Sequence, residues 1–270
     1  MTDFLTSMAA ASRRRMQAAR SQRPEAELVR RCSGLAPPPA LDWDGFGIIA
    51  EVKRASPSAG SLAAGANALE QAHAYLAGGA SAISVLTEPD RFGGSLTDLS
   101  EVSAGLGSTS VPAMRKDFLV DPYQVLEARE AGAGGVLVIV AMLDDPNVLE
   151  LVRCAGEQGL FVLMEAFDES DLERAAGLAE GLPGQVLMGL NSRDLRTLAV
   201  DPERLKRLAP KFPARWPRVA ESGLAGPDDA AVAARLGYDL ALVGSALMQS
   251  REPGTLLADM LNAGRQAACE

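Results

Sequence analysis

The sequence predicts an α/β protein, a (βα)8 TIM barrel with an N-terminal helical extension. Short β-rich runs recur from residue 46 onward at spacings of roughly 24–33 residues, which is the length of a strand–helix unit. The runs are continuously apolar, as strands buried on both faces are, and the segments between them have helical patterns. Eight such units in about 220 residues match the usual size of this barrel.

The eight predicted strands follow from these apolar runs. They cover residues 47–53, 82–87, 111–116, 135–140, 160–166, 185–191, 218–222 and 240–244. The stretch 123–129 is typical of the helical segments between them, which end in Gly before the next strand begins. An open, doubly wound sheet is the structural alternative, but no Gly-x-Gly-x-x-Gly fingerprint follows the first strand to favour it.

Residues 1–45 form the predicted helical extension and residues 46–270 the catalytic barrel, within one domain overall. A first helix is predicted from apolar residues that lie among Ala, Arg and Gln, namely Phe4, Leu5, Met8 and Met16. Residues 20–31 predict a second helix. Three consecutive prolines at residues 37–39 then end the extension as a stiff connector.

Composition and charge limit the classes of function. The chain has 270 residues, 47% of them hydrophobic and 23% charged, so it can bury a large core. Its net charge of −9 argues against nucleic-acid binding, and the basic cluster at residues 13–15 is expected to be a solvated helix face. The single histidine, His73, argues against Ser-His-Asp hydrolysis and against histidine metal sites.

The cellular compartment can also be predicted. The three cysteines, Cys32, Cys154 and Cys269, form neither a disulfide framework nor a zinc spacing, which favours a reducing cytoplasm. No run of about 18 apolar residues could span a membrane. The N-terminus lacks the apolar core of a signal peptide.

Polar residues end nearly every predicted strand. They are Glu51 and Lys53, Glu88, Lys116 and Asp117, Glu165, Asn191 and Arg193, and Glu221 and Ser222. The first two are separated by one residue, so on a strand their side chains point to the same face. The carboxyl ends of barrel strands form a single rim, where catalysis occurs. One such residue could belong to a structural ion pair, but six strand ends together predict an active site.

At these strand ends the chain resembles the indole-3-glycerol phosphate synthase family. The motifs that carry the resemblance lie at residues 49–58, 85–88, 92–96, 115–118, 121–124, 191–195, 221–223 and 242–248. They occur in order and at compatible spacing across most of the barrel. The resemblance implies ring closure, decarboxylation and dehydration of 1-(2-carboxyphenylamino)-1-deoxyribulose 5-phosphate to indole-3-glycerol phosphate, with no cofactor and no metal.

The resemblance also implies catalytic roles. Lys116 would be the general acid and Glu165 the general base. Glu51 would pair with the lysines and assist dehydration, Lys53 would contact anionic groups of the substrate, and Asn191 would contact a substrate hydroxyl. The resemblance leaves open whether Lys116 or Lys53 donates the proton at each step. Asn191 could instead cap a turn.

Two further sets of residues match the family's binding positions. Implied substrate-binding residues are Ser56, Phe92, Phe118, Leu137, Arg193, Leu195, Glu221 and Ser222, with Ile139 and Leu198 as further apolar positions. Lys53, Ser222, Gly223, Gly244 and Ser245 form the expected phosphate site, because glycine lets backbone N–H groups approach an oxyanion. Leu137 and Ile139 could equally be barrel core, the glycines ordinary turn residues, and Ser56 part of a local turn. Phe92 and Phe118 are expected to be exposed rings on loops, and Phe4, Leu5 and Met8 are the candidates for covering the aryl group.

Other functions stay possible at this stage. The chain could be another phosphate-binding barrel, such as phosphoribosylanthranilate isomerase or the tryptophan synthase α subunit, or a barrel without catalysis. The isomerase works with Cys and Asp, whereas no predicted strand here ends in Cys and Cys154 lies in a predicted helix. A barrel without catalysis predicts missing acid–base residues, yet all are present. The expected partner is a small sugar phosphate, with neither nucleic acid nor membrane, and the oligomeric state is left open, a monomer included.

Overall fold

The computed structural model describes residues 3–53, 55–56, 60–61, 67–107 and 109–269, with the backbone alone for 55–56 and 60–61. Within these residues, eight parallel strands close into a barrel in which each strand pairs with its neighbours in sequence and the last pairs with the first. The strands are β1 (Gly47–Val52), β2 (Ala82–Leu86), β3 (Ala113–Lys116), β4 (Gly135–Ile139), β5 (Phe161–Ala166), β6 (Val186–Asn191), β7 (Arg218–Glu221) and β8 (Leu240–Val243). The predicted (βα)8 fold is confirmed, and no strand boundary differs from its prediction by more than about two residues.

Helices alternate with the strands and cover the barrel. They are α1 (Phe4–Gln22), α2 (Glu25–Ser33), α3 (Ala68–Ala77), α4 (Pro89–Phe92), α5 (Leu96–Leu106), α6 (Pro122–Glu130), α7 (Asp145–Glu157), α8 (Glu169–Ala179), α9 (Arg204–Leu208), α10 (Pro227–Arg235), α11 (Ser245–Gln249) and α12 (Pro253–Ala268). Asp121 and Asp144 begin α6 and α7 by accepting backbone N–H bonds, with a proline in the first turn. Two short 3-10 turns cover Val140–Met142 and Ala209–Lys211, and Ala55–Ser56 pairs with Gly60–Ser61 in an antiparallel ladder. No helix in the described part of the chain is long and apolar enough to cross a membrane.

Strand β1 shows how the barrel divides its side chains between two layers. Ile48, Ala50 and Val52 belong to the apolar layer that includes the surrounding helices, whereas Ile49 belongs to the cluster inside the barrel. Because side chains alternate along a strand, Glu51 points to the same side as Ile49. Every residue of β1 is buried, as its continuous apolar pattern predicts. A charged side chain is therefore directed into the barrel mouth rather than into solvent.

The N-terminal extension differs from its prediction in one boundary. Helix α1 continues to Gln22 and α2 begins at Glu25, after Pro24, so the prediction of a second helix over residues 20–31 began about five residues early. Proline at position 24 supplies the break because its ring fixes φ and removes an N–H donor. The first helix was placed correctly.

The basic cluster of α1 is only partly a solvated face. Arg13 and Arg14 are exposed, as expected. Arg15 is not, because its guanidinium lies 3.0 Å from Glu88 and 2.7 Å from Asp117, both of them buried. The prediction for Arg15 was wrong, since its partners lie far along the chain and local sequence gives no sign of them.

Candidate active site

A cavity of about 240 Å³ opens at the carboxyl ends of the barrel strands. Of the predicted site residues, those lining it are Glu51, Lys53, Phe92, Lys116, Phe118, Leu137, Asn191, Arg193, Leu195, Glu221, Ser222, Gly223, Gly244 and Ser245. Glu165 is fully buried and does not line the cavity, but it contacts Lys116 there. The side chain of Ser56 lies outside the described residues.

Two lysines and two carboxylates form a charged cluster in this cavity. Lys116 Nζ lies 3.5 Å from Glu165 Oε2 and 4.0 Å from Glu51 Oε2. Lys53 Nζ lies 2.7 Å from Glu51 Oε1. Glu51 therefore connects the two ammonium groups. Both lysine side chains are only 15% exposed, so their charges interact in a poorly solvated environment where electrostatic effects are strong.

The cluster fixes the protonation of Lys116 and Glu51. Burial disfavours the ammonium form of Lys116, but the carboxylates of Glu165, Glu51 and Glu221 outweigh it and raise the pKa of this lysine. Burial likewise opposes ionisation of Glu51, yet Lys53 and Lys116 lower its pKa below the ordinary value. Lys116 is thus a charged proton donor held beside an ionised carboxylate, an arrangement that suits general acid catalysis.

Glu221 is a second buried carboxyl group next to Glu165. Its pKa is raised well above the ordinary value, first by burial and then by the negative charge of Glu165. Within the described part of the chain, neither oxygen of Glu221 accepts a bond from an N–H or O–H donor, and Glu165 Oε1 also has no donor. Two carboxyl groups can hydrogen-bond to each other only when one of them is protonated. Burial beside a second carboxyl group therefore favours the neutral form of Glu221.

Glycines create the space for these carboxylates. Gly189 on β6 lies in register with Glu165 on β5, and a Cβ atom at Gly189 would overlap Glu221 Oε1. A Cβ atom at Gly244 would likewise overlap Glu51 Oε1 and lie 3.0 Å from Lys53 Nζ. Sequence analysis missed Gly189 because a glycine inside an apolar strand gives no sign of which side chain it must accommodate.

Asn191 has the first of the two roles that the sequence left open, the cap of a turn, and its contact with a substrate hydroxyl stays a prediction. Its Oδ1 accepts a hydrogen bond from the backbone N–H of Arg193 at 2.9 Å and so caps the turn after β6. This bond leaves the Nδ2 amide as the group that can donate to a substrate. The backbone carbonyl of Asn191 accepts a bond from Arg204 at 3.0 Å, which fixes the end of the strand. Arg193 also lines the cavity.

The end of β7 has an unusual backbone. Ser222 and Gly223 follow each other with φ of 64° and 83°, both in the left-handed region. This conformation costs a non-glycine residue roughly 1–2 kcal/mol. The Ser192 hydroxyl donates to the Ser222 carbonyl at 3.0 Å and holds the turn. Gly244 and Ser245, after β8, line the same cavity, so both predicted glycine–serine segments are brought together.

An apolar wall completes the cavity. The Phe118 ring lies 6.1 Å from Phe92 and 6.1 Å from Phe4, the latter in an edge-to-face arrangement. The same cluster includes Leu5 and Met8 of α1, together with Leu137, Ile139, Leu195 and Leu198. The last four line the cavity, which favours a binding wall at Leu137 and Ile139 in addition to core packing.

Three expectations at the rim need correction. Phe92 is the last residue of helix α4 and is half-buried, rather than exposed on a loop. Phe118 is in a loop but is buried, because it packs between Phe4 and Phe92. Glu88 does not line the cavity, since it caps α4 by accepting three backbone N–H bonds and pairs with Arg15.

The fold and the site together define a class: a (βα)8 barrel with a cavity that holds paired acidic and basic side chains at the carboxyl ends of its strands. The family model described as indole-3-glycerol phosphate synthase matches residues 7–260. The chain belongs to this family.

Curated relatives agree with the family match. The chain is 46% identical over 229 residues to indole-3-glycerol phosphate synthase 1 of Streptomyces coelicolor, covering 85% of this chain and 82% of the relative. It is 45% identical over 239 residues to indole-3-glycerol phosphate synthase of Mycolicibacterium smegmatis, covering 87% and 85%. The matched regions cover most of this chain and most of each relative.

Solved structures with low identity show the fold alone. A 3-hexulose-6-phosphate synthase from Salmonella typhimurium matches with a TM-score of 0.63 and 15% identity, covering 82% of this chain and 99% of that chain. A thiamine phosphate pyrophosphorylase from Pyrococcus furiosus matches with a TM-score of 0.59 and 16% identity, covering 83% and 96%.

Proposed function

We propose that this chain is an indole-3-glycerol phosphate synthase that converts 1-(2-carboxyphenylamino)-1-deoxyribulose 5-phosphate to indole-3-glycerol phosphate, carbon dioxide and water. Family membership supports the reaction. The observation that carries the proposal is the charged cluster in which Lys116 contacts both Glu165 and Glu51 beside an apolar wall. An aromatic acid linked to a sugar phosphate needs both of these features.

Lys116 is the proton donor for ring closure in this proposal. As the aromatic carbon attacks the C2 carbonyl, Lys116 protonates the carbonyl oxygen and stabilises the charge that develops on it. The carboxyl group then leaves as carbon dioxide and its bonding electrons restore the aromatic ring. Because the ammonium group is held by two carboxylates, it needs no reorganisation at the moment of transfer.

Dehydration requires a second acid and a base. The hydroxyl formed in the first step leaves as water when a lysine protonates it, and Lys53 and Lys116 both lie against Glu51 for this purpose. Glu165 is the base in this proposal, and it removes the proton that the new ring must lose, together with the hydroxyl, to become indole. Glu221 lies beside Glu165, and burial together with the neighbouring carboxylate raises the pKa of Glu221. Asn191 would donate its amide to a substrate hydroxyl.

The substrate would lie across the cavity between the apolar wall and the two glycine–serine turns. The aryl ring would pack against Phe92 and Phe118, with Leu137 and Leu195 beneath it. Phosphate would bind backbone N–H groups at residues 222–223 and 244–245, with Lys53 as countercharge.

The free thiols at Cys32, Cys154 and Cys269 also support the expected cytoplasmic setting.

The test is an assay of the purified chain with this substrate, in EDTA, followed by indole fluorescence. Lys116→Met keeps the length of the side chain and removes the transferable proton, so we expect kcat to fall by about 10²–10⁴-fold with little change in substrate affinity. Lys206→Met, on an exposed lysine outside the cavity, is the matched control and should behave as wild type. Wild-type turnover by Lys116→Met would remove Lys116 from the mechanism. An inactive wild-type chain would favour a different sugar phosphate, to be sought among isomerase substrates.

A further inference from the structure

We propose that Arg15 is a positioning residue that fixes the aromatic wall of the active site to helix α1. The inference rests on the proposed function, because it assigns the residue that organises the aryl end of that same cavity. Arg15 touches neither the cavity nor the charged cluster. It acts through two carboxylates and through the aromatic residues that these carboxylates hold.

One guanidinium group bridges two buried carboxylates from different strand–helix connections. Arg15 Nη1 donates to Glu88 Oε1 at 3.0 Å, and Arg15 Nη2 donates to Asp117 Oδ1 at 2.7 Å. The side chains of Glu88 and Asp117 are 0% and 1% exposed. The planar fork of arginine suits this geometry, because two of its N–H groups point at two separate acceptors at once.

Each of these carboxylates also holds an aromatic residue of the wall. Glu88 Oε2 accepts the backbone N–H of Phe92 at 3.1 Å, and Asp117 Oδ1 accepts the backbone N–H of Phe118 at 2.8 Å. Phe92 and Phe118 in turn pack against each other. The positions of both rings therefore depend on two carboxylates that Arg15 holds together.

The third ring of the wall lies on the same helix as Arg15. Phe4 contacts Phe118 edge to face and lies eleven residues before Arg15 in α1, which is about three full turns and so the same helix face. Helix α1 is consequently attached to the aromatic wall at two points, by a ring contact near its start and by the Arg15 bridge further along. All three rings are thereby fixed relative to one another.

Arg15 should affect the aromatic wall of the cavity but not the acid–base cluster. Lys116 is held by Glu165 and Glu51, and Asp117 keeps Arg115 and Thr87 as further partners, so the acid–base cluster does not depend on Arg15. Glu88, by contrast, has Arg15 as its only cationic partner among the described residues. Loss of Arg15 should therefore disturb the wall, mainly at Phe92, and leave the chemistry intact.

The experiment compares steady-state kinetics of full-length Arg15→Met and Arg14→Met with wild type. For Arg15→Met we expect KM to rise roughly tenfold, the effect of losing a charge-assisted contact, while kcat stays within about threefold. The inhibition constant of inorganic phosphate should not change, because phosphate does not use the wall. Arg14→Met removes an exposed arginine from the adjacent position and should match wild type. Arg15→Lys should recover part of the loss, because an ammonium group cannot span both acceptors.

Two safeguards make the outcome decisive. If Arg15→Met fails to fold because Glu88 is left as a buried charge, the double variant Arg15→Met/Glu88→Gln removes that charge and should show the same rise in KM. A folded variant with wild-type KM would overturn the inference, as would an equal rise in KM and in the phosphate inhibition constant, or a fall in kcat with KM unchanged.

Binding of free anthranilate separates failure of this inference from failure of the proposed function. If wild type does not turn over the substrate, the proposed reaction is wrong. Anthranilate binding that is weaker in Arg15→Met than in wild type would still support the role of Arg15 in the wall. Equal anthranilate binding by both proteins, or none by wild type, would overturn it.

Discussion

At the scale of single residues, Glu221 is a carboxyl group whose neutral form is favoured by its burial next to Glu165. Glu221 has its pKa raised from an ordinary value of 4.5 by burial and by the neighbouring carboxylate. In the folded chain it therefore keeps its proton at pH values where the unfolded chain has lost it. Its contribution to stability is complete below about pH 4.5 and decreases as pH rises toward the raised pKa.

Glu221→Gln tests this protonation directly. Glutamine cannot ionise, so the free energy of unfolding of wild type, relative to the variant, should fall as pH rises from about 5 to 8, by at most about 1.4 kcal/mol per pH unit. Urea unfolding at each pH measures the difference. Glu150→Gln, at an exposed position of α7, should give a difference that does not depend on pH. A constant offset for Glu221→Gln would mean that Glu221 is ionised in the folded chain.

Residue-scale prediction from sequence placed a side chain at the site correctly where a charged residue ends an apolar run. Lys116 and Glu165 are of this kind, because a charge at the end of a buried strand has no structural explanation nearby in the chain. It failed for Arg15, whose partners lie 73 and 102 residues away. It also failed for Glu88, where a polar strand end serves a helix cap rather than the cavity.

At the scale of elements, strand β6 determines how closely the carboxylates of β5 and β7 can approach. Gly189 is the position of β6 where a side chain would meet Glu221, and Leu163 Cδ1 would lie 3.0 Å from the added Cβ. β6 pairs with β5 at Glu165 and with β7 at Val219, so its backbone cannot move aside without disturbing both ladders.

Gly189→Ala should therefore reduce both stability and activity. We expect a loss of about 1–3 kcal/mol in the free energy of unfolding, the usual cost of overpacking a core, and a fall in kcat larger than any rise in KM. Gly177→Ala is the matched control, since nothing lies within 4 Å of its Cβ and it is exposed in helix α8. That change should stabilise the chain by about 0.4–1 kcal/mol. The free energy of unfolding, kcat and KM of both variants test the prediction. A Gly189→Ala variant with wild-type stability and wild-type kinetics would contradict it.

Element boundaries were predictable where the local pattern is unambiguous. Buried parallel strands such as β5 and β6 appear as uninterrupted apolar runs bounded by Gly or polar residues, so their ends were placed within a residue. The second N-terminal helix was misplaced because residues 20–22 still belong to α1, and the break comes only at residues 23–24. Helix α4, only four residues long, was not predicted, and Phe92 was assigned to a loop for that reason.

At the scale of the whole molecule, the chain has a net charge of −9, whereas the proposed substrate carries both a phosphate and a carboxylate group. Lys53, Lys116 and Arg193 line the cavity together with the two glycine–serine turns, and in the proposed function these groups would bind the anion. Such a site stabilises the fold whenever an anion occupies it, because a ligand that binds only the folded chain shifts the unfolding equilibrium by mass action. The free energy of unfolding, measured with and without an anion, therefore reports whether the binding site is present in the folded chain.

Inorganic phosphate should therefore protect the chain against unfolding. At a concentration 100 times its Kd, we expect the free energy of unfolding to rise by about 2.7 kcal/mol. Gly223→Ala places a Cβ at a φ of 83° in the proposed phosphate site, and Gly237→Ala does so at an identical φ outside the cavity. Both variants should lose roughly 1–2 kcal/mol of stability from backbone strain alone. In thermal unfolding, only Gly223→Ala should also lose the protection by phosphate. The reason is that only this substitution alters the backbone whose N–H groups would bind phosphate in the proposed site. Equal protection of the two variants would place the phosphate elsewhere in the molecule.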